Sequence, residues 1–593
     1  VCSPALAAIA HAPAPRYTRF MHNQLLKLSL FAATAFGVVL LHPGSHPAHA
    51  EGAAPRPLSV WGDYLAGYHA EATGDNRTAL MFYETAMRKG ITPTADLYSR
   101  MYVMGLTEGT LDKALVSLDK AEQLDGKAPL AALTRAVRAL RDGDFEGAEA
   151  LMASDDSGIA RILSPVLTAW ARVGRKDMRG ALDALDASGS PEPQTSKDGE
   201  PEKTSPLHLL HGALINDLAG NTDAANGLYQ QLRDASGLSV RTAQLLGEHF
   251  ERAGQIDAAR QTYQALGDDA EGLILLEAMQ KRLDSGSRPA LDVDSAQKGA
   301  AEALYGVASA LLSQSAWESA IALSYMATAL HPDSPPSLMV AASALQQNAR
   351  RADANALYGA IAPASPFSWM ARLNMADNLD HMGQTDKAVK MLGDMAKERP
   401  ALSRPLIQLG DILRRHERFK EAADAYTRAL TRIGEPDSAH WVVFYSRGIA
   451  HEQTDHWDKA EADFLRALDL NPDQPLALNY LGYSWLDKGL HLDRALKMIE
   501  KAVEQRPRDG YSVESLGWGL YRLGDFKAAV KHLERAVMLR PADPVINDHL
   551  GDAVWHVGRT REARFQWERA LSMKPDADLI KVSETKLKSG LAA

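Results

Sequence analysis

One alanine recurs along almost the whole chain. Ala79, Ala114, Ala148, Ala181, Ala224, Ala259, Ala320, Ala354, Ala388, Ala422, Ala460, Ala495, Ala529 and Ala563 stand mostly 33 to 35 residues apart. Proline keeps the same period, at Pro332, Pro366 and Pro400 and then at Pro472, Pro507, Pro541 and Pro575. Two unrelated residue types in one register predict a stack of equal units, each burying its apolar face on its neighbours. Such a stack accommodates 593 residues without one large core.

The clearest unit runs from Gly510: GYSVESLGWGLYRLGDFKAAVKHLERAVMLRP. Counted from Gly510 as position 1, Gly517 is position 8, Gly524 position 15, Phe526 position 17, Ala529 position 20, Leu533 position 24, Ala536 position 27 and Pro541 position 32. The next unit, from Pro544, puts Gly551, Gly558, Ala563, Trp567, Ala570 and Pro575 on the matching positions. Small residues at 8, 20 and 27 let two helices cross closely. Glycine at 15 suits the turn between them, large apolar residues at 17 and 24 fill the space, and proline at 32 stops the second helix. The expected fold is therefore all-α, a superhelical solenoid of about 14 helix pairs, and the 34-residue unit is that of the tetratricopeptide repeat.

Breaks in the period mark organisation. Residues 188–206, SGSPEPQTSKDGEPEKTSP, have the composition of a solvated flexible loop. Residues 284–299 interrupt the pattern where Ala259 and Ala320 lie 61 apart. This reads as a linker between two halves, an N-terminal divergent solenoid over 58–283 and a C-terminal one over 300–575. Four residues are inserted around Gly434 to Ala439. The tail 576–593 carries Leu579, Ile580, Val582 and Leu587 among Lys and Glu, as an amphipathic cap on the last unit requires.

The first fifty residues read as a targeting segment. A mildly basic stretch from Met21 to Lys27 precedes an apolar run of 14 residues, Leu28 to Leu41, then breakers and the small-x-small triplet Ala48-His49-Ala50. That is the layout of a secretory signal peptide, with cleavage expected after Ala50 and a periplasmic product, a retained N-terminal anchor being the alternative. Residues 1–20 precede the better start at Met21 and are given no function. The sole cysteine, Cys2, leaves the mature chain without a disulfide, a thiol nucleophile, a cysteine-ligated metal or a lipidation site, so it is not expected to be a lipoprotein. Removing Arg16, Arg19 and Lys27 from a net charge of −10 leaves −13, which argues against nucleic acid.

Repeats fill nearly all of the mature chain, and no catalytic, cofactor or metal site is expected; nor is a small-molecule substrate. His451 and His456 are five apart, so on a helix the second would face some 140° away from the first, unlike zinc-protease ligands at i, i+4, and the segment reads as a polar helix end and turn. His549 and His556 with Asp548 and Asp552 read as groove or packing polars. No phosphate-binding loop or nucleophile elbow is present, and Gly517-Trp518-Gly519 lacks the third glycine of a dinucleotide loop.

LNYLGYSWLDKG (478–489), SLGWGLYRLG (515–524), NDHLGDAVWHVGR (547–559) and EARFQWERAL (562–571) resemble a family of exported bacterial tetratricopeptide proteins. That family is similar to an envelope lipoprotein adaptor of a carboxyl-terminal processing protease, and to the repeat half of periplasmic chaperone-proteases. The resemblance implies a non-catalytic protein-binding scaffold or adaptor in cell-envelope maintenance or proteolysis, its partners an envelope protease and that protease's substrates. A scaffold for polysaccharide export or secretion machinery is the alternative. It also implies that positions 2, 5, 9, 12 and 13 of each first helix line a concave groove. The candidates are Tyr445, Ile449 and Glu452; Asn479, Tyr483 and Asp487; Tyr511, Glu514, Trp518, Tyr521 and Arg522; and Asp548, Asp552 and Trp555. With Tyr445, Asn479, Glu514 and Asp548 at position 5, the groove would repel a terminal carboxylate and favour basic or apolar segments.

Overall fold

The computed structural model describes residues 59–153, 158–187, 205–265 and 270–591. The signal segment with its cleavage site lies outside these residues, as does nearly all of the loop expected at 188–206. Among the described residues there are 30 α-helices and no strand. They fall into two compact units, divided between Gln384 and Thr385.

The first unit contains α1 (Val60–Ala72), α2 (Asn76–Arg88), α3 (Ala95–Thr107), α4 (Leu111–Gln123), α5 (Ala131–Asp142), α6 (Phe145–Ala153), α7 (Gly158–Gly174), α8 (Met178–Ala187) and α9 (Pro206–Leu218). It continues with α10 (Thr222–Ser236), α11 (Val240–Arg252), α12 (Ile256–Gln264), α13 (Ala270–Asp284), α14 (Ala296–Ser313), α15 (Trp317–Leu330), α16 (Pro335–Gln347), α17 (Arg351–Ala360) and α18 (Phe367–His381). The second unit holds α19 (Thr385–Glu398), α20 (Arg404–Arg415), α21 (Phe419–Ile433), α22 (Trp441–Glu452), α23 (Trp457–Leu470) and α24 (Pro475–Lys488). Then follow α25 (Leu492–Gln505), α26 (Gly510–Arg522), α27 (Phe526–Leu539), α28 (Pro544–His556), α29 (Thr560–Ser572) and α30 (Ala577–Ser589).

The periodic alanine is the pivot of each pair. It sits three residues after the first residue of each second helix, and thirteen of the fourteen alanines are buried, none more than 1% exposed. The exception corrects the sequence reading: Ala224 is exposed and Ala225 is buried. The register slips there because α10 starts at Thr222, after a loop that breaks the count. Opposite the alanine face, position 8 of the first helix meets position 24 of the second. A Cβ added at Gly410, Gly448, Gly482, Gly517 or Gly551 would lie 2.4 to 2.8 Å from Tyr426, Phe464, Ile499, Leu533 or Trp567. Glycine therefore sets the distance between the two helices, and the large side chain fills the crossing.

Local chemistry fixes the ends. Asp509, Asp525, Asp543 and Asp576 cap α26, α27, α28 and α30 through backbone N–H groups of the first turn. Pro475 and Pro544 open α24 and α28, where a missing N–H costs nothing. The inserted residues after α21 form a short 3-10 turn, Ser438–His440. Helix α30 packs on α29.

The first unit departs from a simple stack. Segment 284–299, read from the sequence as a linker between halves, lies inside this unit. The helices that follow it fold back: α14 packs on α5, α7 and α9, and α15 packs on α3 and α5. These are first helices of the N-terminal repeats, whose face the sequence reading left open. Helix α14 is rich in small residues, and a Cβ at Gly299 would lie 2.1 Å from Trp170. Helix α15 is apolar on most faces and largely buried, as a helix with neighbours on several sides must be. Polar contacts close the arrangement. Arg350 pairs with Glu108 at 2.6 Å and donates to the Thr107 carbonyl at 3.0 Å, while Arg77 pairs with Asp353 at 3.0 Å. Among the described residues no helix is long and apolar enough to cross a membrane.

Candidate protein-binding groove

The first helices of the second unit, α22, α24, α26 and α28, carry the candidate residues side by side. The structure divides them into two sets. Tyr445, Ile449, Glu452, Tyr483, Tyr511, Glu514, Asp548 and Asp552 are buried. Asn479, Asp487, Trp518, Tyr521 and Trp555 are half-buried, and Arg522 is exposed.

A positional rule accounts for much of the first set. Position 5 of one repeat meets position 6 of the next. The Tyr445 ring meets Tyr480 edge-on, centroids 5.8 Å apart. Glu514 hydrogen-bonds to Nδ1 of His549 at 2.7 Å. Asp548 accepts from Ser583 of α30 at 2.7 Å and from the Lys586 ammonium at 2.5 Å. Opposite Asn479 the corresponding residue is the small Ser515, and Asn479 keeps partial exposure. Its side-chain carbonyl oxygen is buried without a hydrogen-bond partner.

Two of the acidic residues serve cohesion. Asp552 accepts from Trp567 Nε1 at 2.9 Å within its own repeat and from Lys586 at 2.8 Å. Burial, then Asp548 beside it, raises the Asp552 pKa. Burial opposes the Lys586 charge, but Asp552 and Asp548 outweigh it and raise that pKa above the ordinary lysine value. The capping helix thus covers the acidic residues expected at this end and offsets part of their charge. Trp555 packs on Trp567 at 5.4 Å, and Gly590 leaves no room for a Cβ against it.

Glu452 differs. Its carboxyl stands beside the hydroxyls of Tyr480 and Ser484, yet none of these oxygens has an aligned partner. Burial pushes its pKa up to about 7, against the smaller lowering effect of those hydroxyls.

The accessible part is aromatic. Trp518 stacks on His549 with centroids 3.7 Å apart and on Tyr521 at 4.7 Å. His556 continues the row, stacked on Phe526 at 4.3 Å. Arg522 reaches back to α24, donating to the Asp487 carbonyl at 3.3 Å. Asn479, Trp518, Tyr521 and Arg522 thus offer an amide, two aromatic rings and a cation on neighbouring helices, a surface suited to a polypeptide segment. Sequence reasoning omitted Tyr480 from the candidates and read His549 as a groove or packing polar. The signal was present, because position 6 lies beside position 5 on the same helix and, of α22, α24, α26 and α28, is large only in α24 and α28.

Segment 451–456 is the helix end and turn expected from the sequence, but its second histidine does not face away from the first. Helix α22 ends at Glu452 and the chain turns through Asp455 in the left-handed region, φ 59°. The turn brings the rings of His451 and His456 to 6.2 Å. Among the described residues no group of three or more His, Cys, Asp or Glu is placed to hold a metal.

The tetratricopeptide repeat family model matches residues 445–509 and 491–545. A TPR repeat-containing protein of Pseudomonas aeruginosa, PA4667, is 28% identical over 169 residues, which is 28% of this chain and 28% of that protein. The RNA polymerase-associated protein CTR9 of Caenorhabditis elegans is 28% identical over 173 residues, 26% of this chain and 14% of its own length. The chain therefore spans about a quarter or less of the length of these relatives. Among solved structures, the APC/C hetero-tetramer Cut9–Hcn1 covers 89% of this chain and 95% of that chain, at 14% identity and a TM-score of 0.36. MamA covers 28% of this chain and 95% of its own, at 22% identity and a TM-score of 0.26. Residues 445–545 thus match tetratricopeptide repeats, and the described residues around them are likewise helical pairs.

Proposed function

We propose that this chain is a non-catalytic adaptor of the periplasm that holds partner proteins in cell-envelope maintenance or proteolysis through the groove of its second unit. Stacked repeats of this kind present extended concave binding surfaces. The observation that carries the reading is the contrast between the two units. In the first, the faces of α3, α5, α7 and α9 are occupied by the chain's own α14 and α15. In the second, Asn479, Trp518, Tyr521 and Arg522 keep accessible surface on adjacent first helices. The export reading is supported by the apolar run and small-x-small triplet before Ala50.

The test is a photo-crosslinking residue at Arg522, irradiated in intact cells that produce the full chain, with adducts identified by mass spectrometry. Adducts with an envelope protease or with cell-wall hydrolases are expected. Adducts confined to cytoplasmic proteins, or none while control positions on the outer helices crosslink equally, overturn the reading.

A further inference from the structure

The first unit contains a cavity of about 150 Å³ that the groove reading does not use. Helices α11 and α13 form one side of it, through Arg241, Gln244 and Glu248 and through Met279 and Arg282. Asp292, the segment from His331 to Pro336 and the start of α18 at Phe367 form the other. Its charges do not cancel. Arg241 is held by a bidentate pair with Glu302, at 2.9 and 2.6 Å. Arg282 is held by Glu251 in the same way, at 3.0 and 2.7 Å. Each guanidinium is thus matched by a carboxylate outside the lining. Two lining carboxylates remain in excess, Glu248 and Asp292.

Their positions differ usefully. The side chain of Asp292 is 38% exposed and marks the mouth, whereas that of Glu248 is 7% exposed and marks the floor. Asp292 retains one contact with Arg241 at 2.7 Å. Glu248 has a single hydrogen bond, from Gln244 Nε2 at 3.2 Å, and stands 3.6 Å from Arg282. Burial pushes its pKa up, and Asp292 pushes in the same direction. A buried carboxylate this poorly compensated is stabilised by an added cation. Apart from the charged groups and from Gln244, His331, Ser334 and Ser365, the lining is apolar: Ala278, Met279, Pro335, Pro336, Pro366 and Phe367. Apolar walls with an acid at the floor suit a flexible aliphatic stem ending in a compact charge.

We propose that this cavity binds an alkylammonium group, presented by a lysine side chain of a partner polypeptide or by a free diamine. The shared chemistry is a primary ammonium on a stem of four or five methylenes, its charge seated against Glu248 and its stem along Met279 and Phe367. The proposal stands apart from the groove reading, which concerns the other unit.

The test is calorimetric titration of the full chain with 1,5-diaminopentane and, separately, with acetyl-Gly-Lys-Gly-amide, the norleucine analogue serving as control. Saturable binding of at least one ammonium probe is expected, with no binding of the norleucine peptide. Glu248→Gln is expected to weaken it about ten-fold, the order of one buried charge-assisted contact, and Asp292→Asn, at the partly exposed mouth, to weaken it measurably but less. Binding of the lysine peptide alone identifies a polypeptide source, and binding of the diamine alone a free amine. Absence of saturable binding by both probes, or unchanged affinity in both variants, overturns the proposal. Should Glu248→Gln fail to fold, Asp292→Asn decides alone, since Asp292 lies at the partly exposed mouth.

Discussion

Trp518 lies flat on His549, ring centroids 3.7 Å apart and planes within 11° of parallel. The two residues belong to neighbouring repeats, so one stack both joins α26 to α28 and forms the wall of the candidate groove. Trp518→Ala is expected to abolish partner capture while lowering the unfolding free energy by only about 1–3 kcal/mol, the loss of one half-buried aromatic contact. Pull-down from an envelope extract, read beside urea unfolding followed by circular dichroism, separates the two effects. Trp518→Phe keeps the stack and should restore much of the stability.

Lys586 carries the only cation within hydrogen-bond reach of both Asp548 and Asp552 among the described contacts. Lys586→Met leaves two buried carboxylates facing each other, at a cost of about 3–5 kcal/mol. Adding Asp548→Asn and Asp552→Asn to it should recover most of that loss. Urea midpoints for the three proteins decide; equal midpoints for wild type and Lys586→Met would remove the buried pair from the account.

The Glu452 carboxyl predicts a pH effect with a definite sign. Its folded pKa of about 7 lies above the ordinary glutamate value of 4.5, so the folded state binds the proton more tightly. The stabilisation it contributes is fully present below the unfolded pKa and is lost as pH rises through about 7. Glu452→Gln should therefore match wild type near pH 4.5 and be the more stable protein at pH 8, by about 2–3 kcal/mol. Thermal unfolding of both across that range shows whether the curves diverge upward in pH; parallel curves contradict the assignment.

Two glycines should respond to alanine in opposite directions. At Gly551 the new methyl would lie 2.4 Å from Trp567 Nε1, and Gly551→Ala should cost several kcal/mol, on the order of core overpacking. Gly393, within α19, has no atom within 4 Å of that position. Gly393→Ala should stabilise by about 1 kcal/mol through helix propensity alone. Melting temperatures of the two variants read the contrast directly.

Gly299 tests the folded-back helix. Its Cβ site is filled by the Trp170 ring, so Gly299→Val should pry α14 from α7. Hydrogen exchange is expected to accelerate across residues 296–330, with little change beyond residue 385. Unchanged protection of α14 would mean that this contact does not hold the helix in place.

Much of the fold was legible because each unit repeats the same small-against-large crossing. Ala529 with Gly517 and Leu533 states in three residues how two helices meet, and every copy restates it. The slip from Ala224 to Ala225 arose where a loop without periodicity precedes α10, so nothing in the sequence carried the count across. Docking of α14 and α15 onto earlier repeats was not legible from the period, which speaks only of adjacent units. Its trace was compositional: α14 is crowded with alanine and α15 has a single charge, Glu318, so neither keeps a wide polar face for solvent. The groove residues divided for a related reason. Helical periodicity placed Tyr445 and Asn479 alike on the inner face, but the bulk at position 6 of the following repeat, Tyr480 in one case and Ser515 in the other, decides which of them is sealed.

The contacts from Arg350 to Glu108 and Thr107 join points of the chain more than 240 residues apart. An open array of repeats needs no such contact; each pair nucleates on its neighbour, and the ends fray independently. Closing so long a loop has to be completed before its contacts reward it, which slows folding and ties distant helices to one transition. The first unit is accordingly expected to fold slowly and melt as a whole, while the second, built from neighbour contacts, loses its repeats in succession from an end.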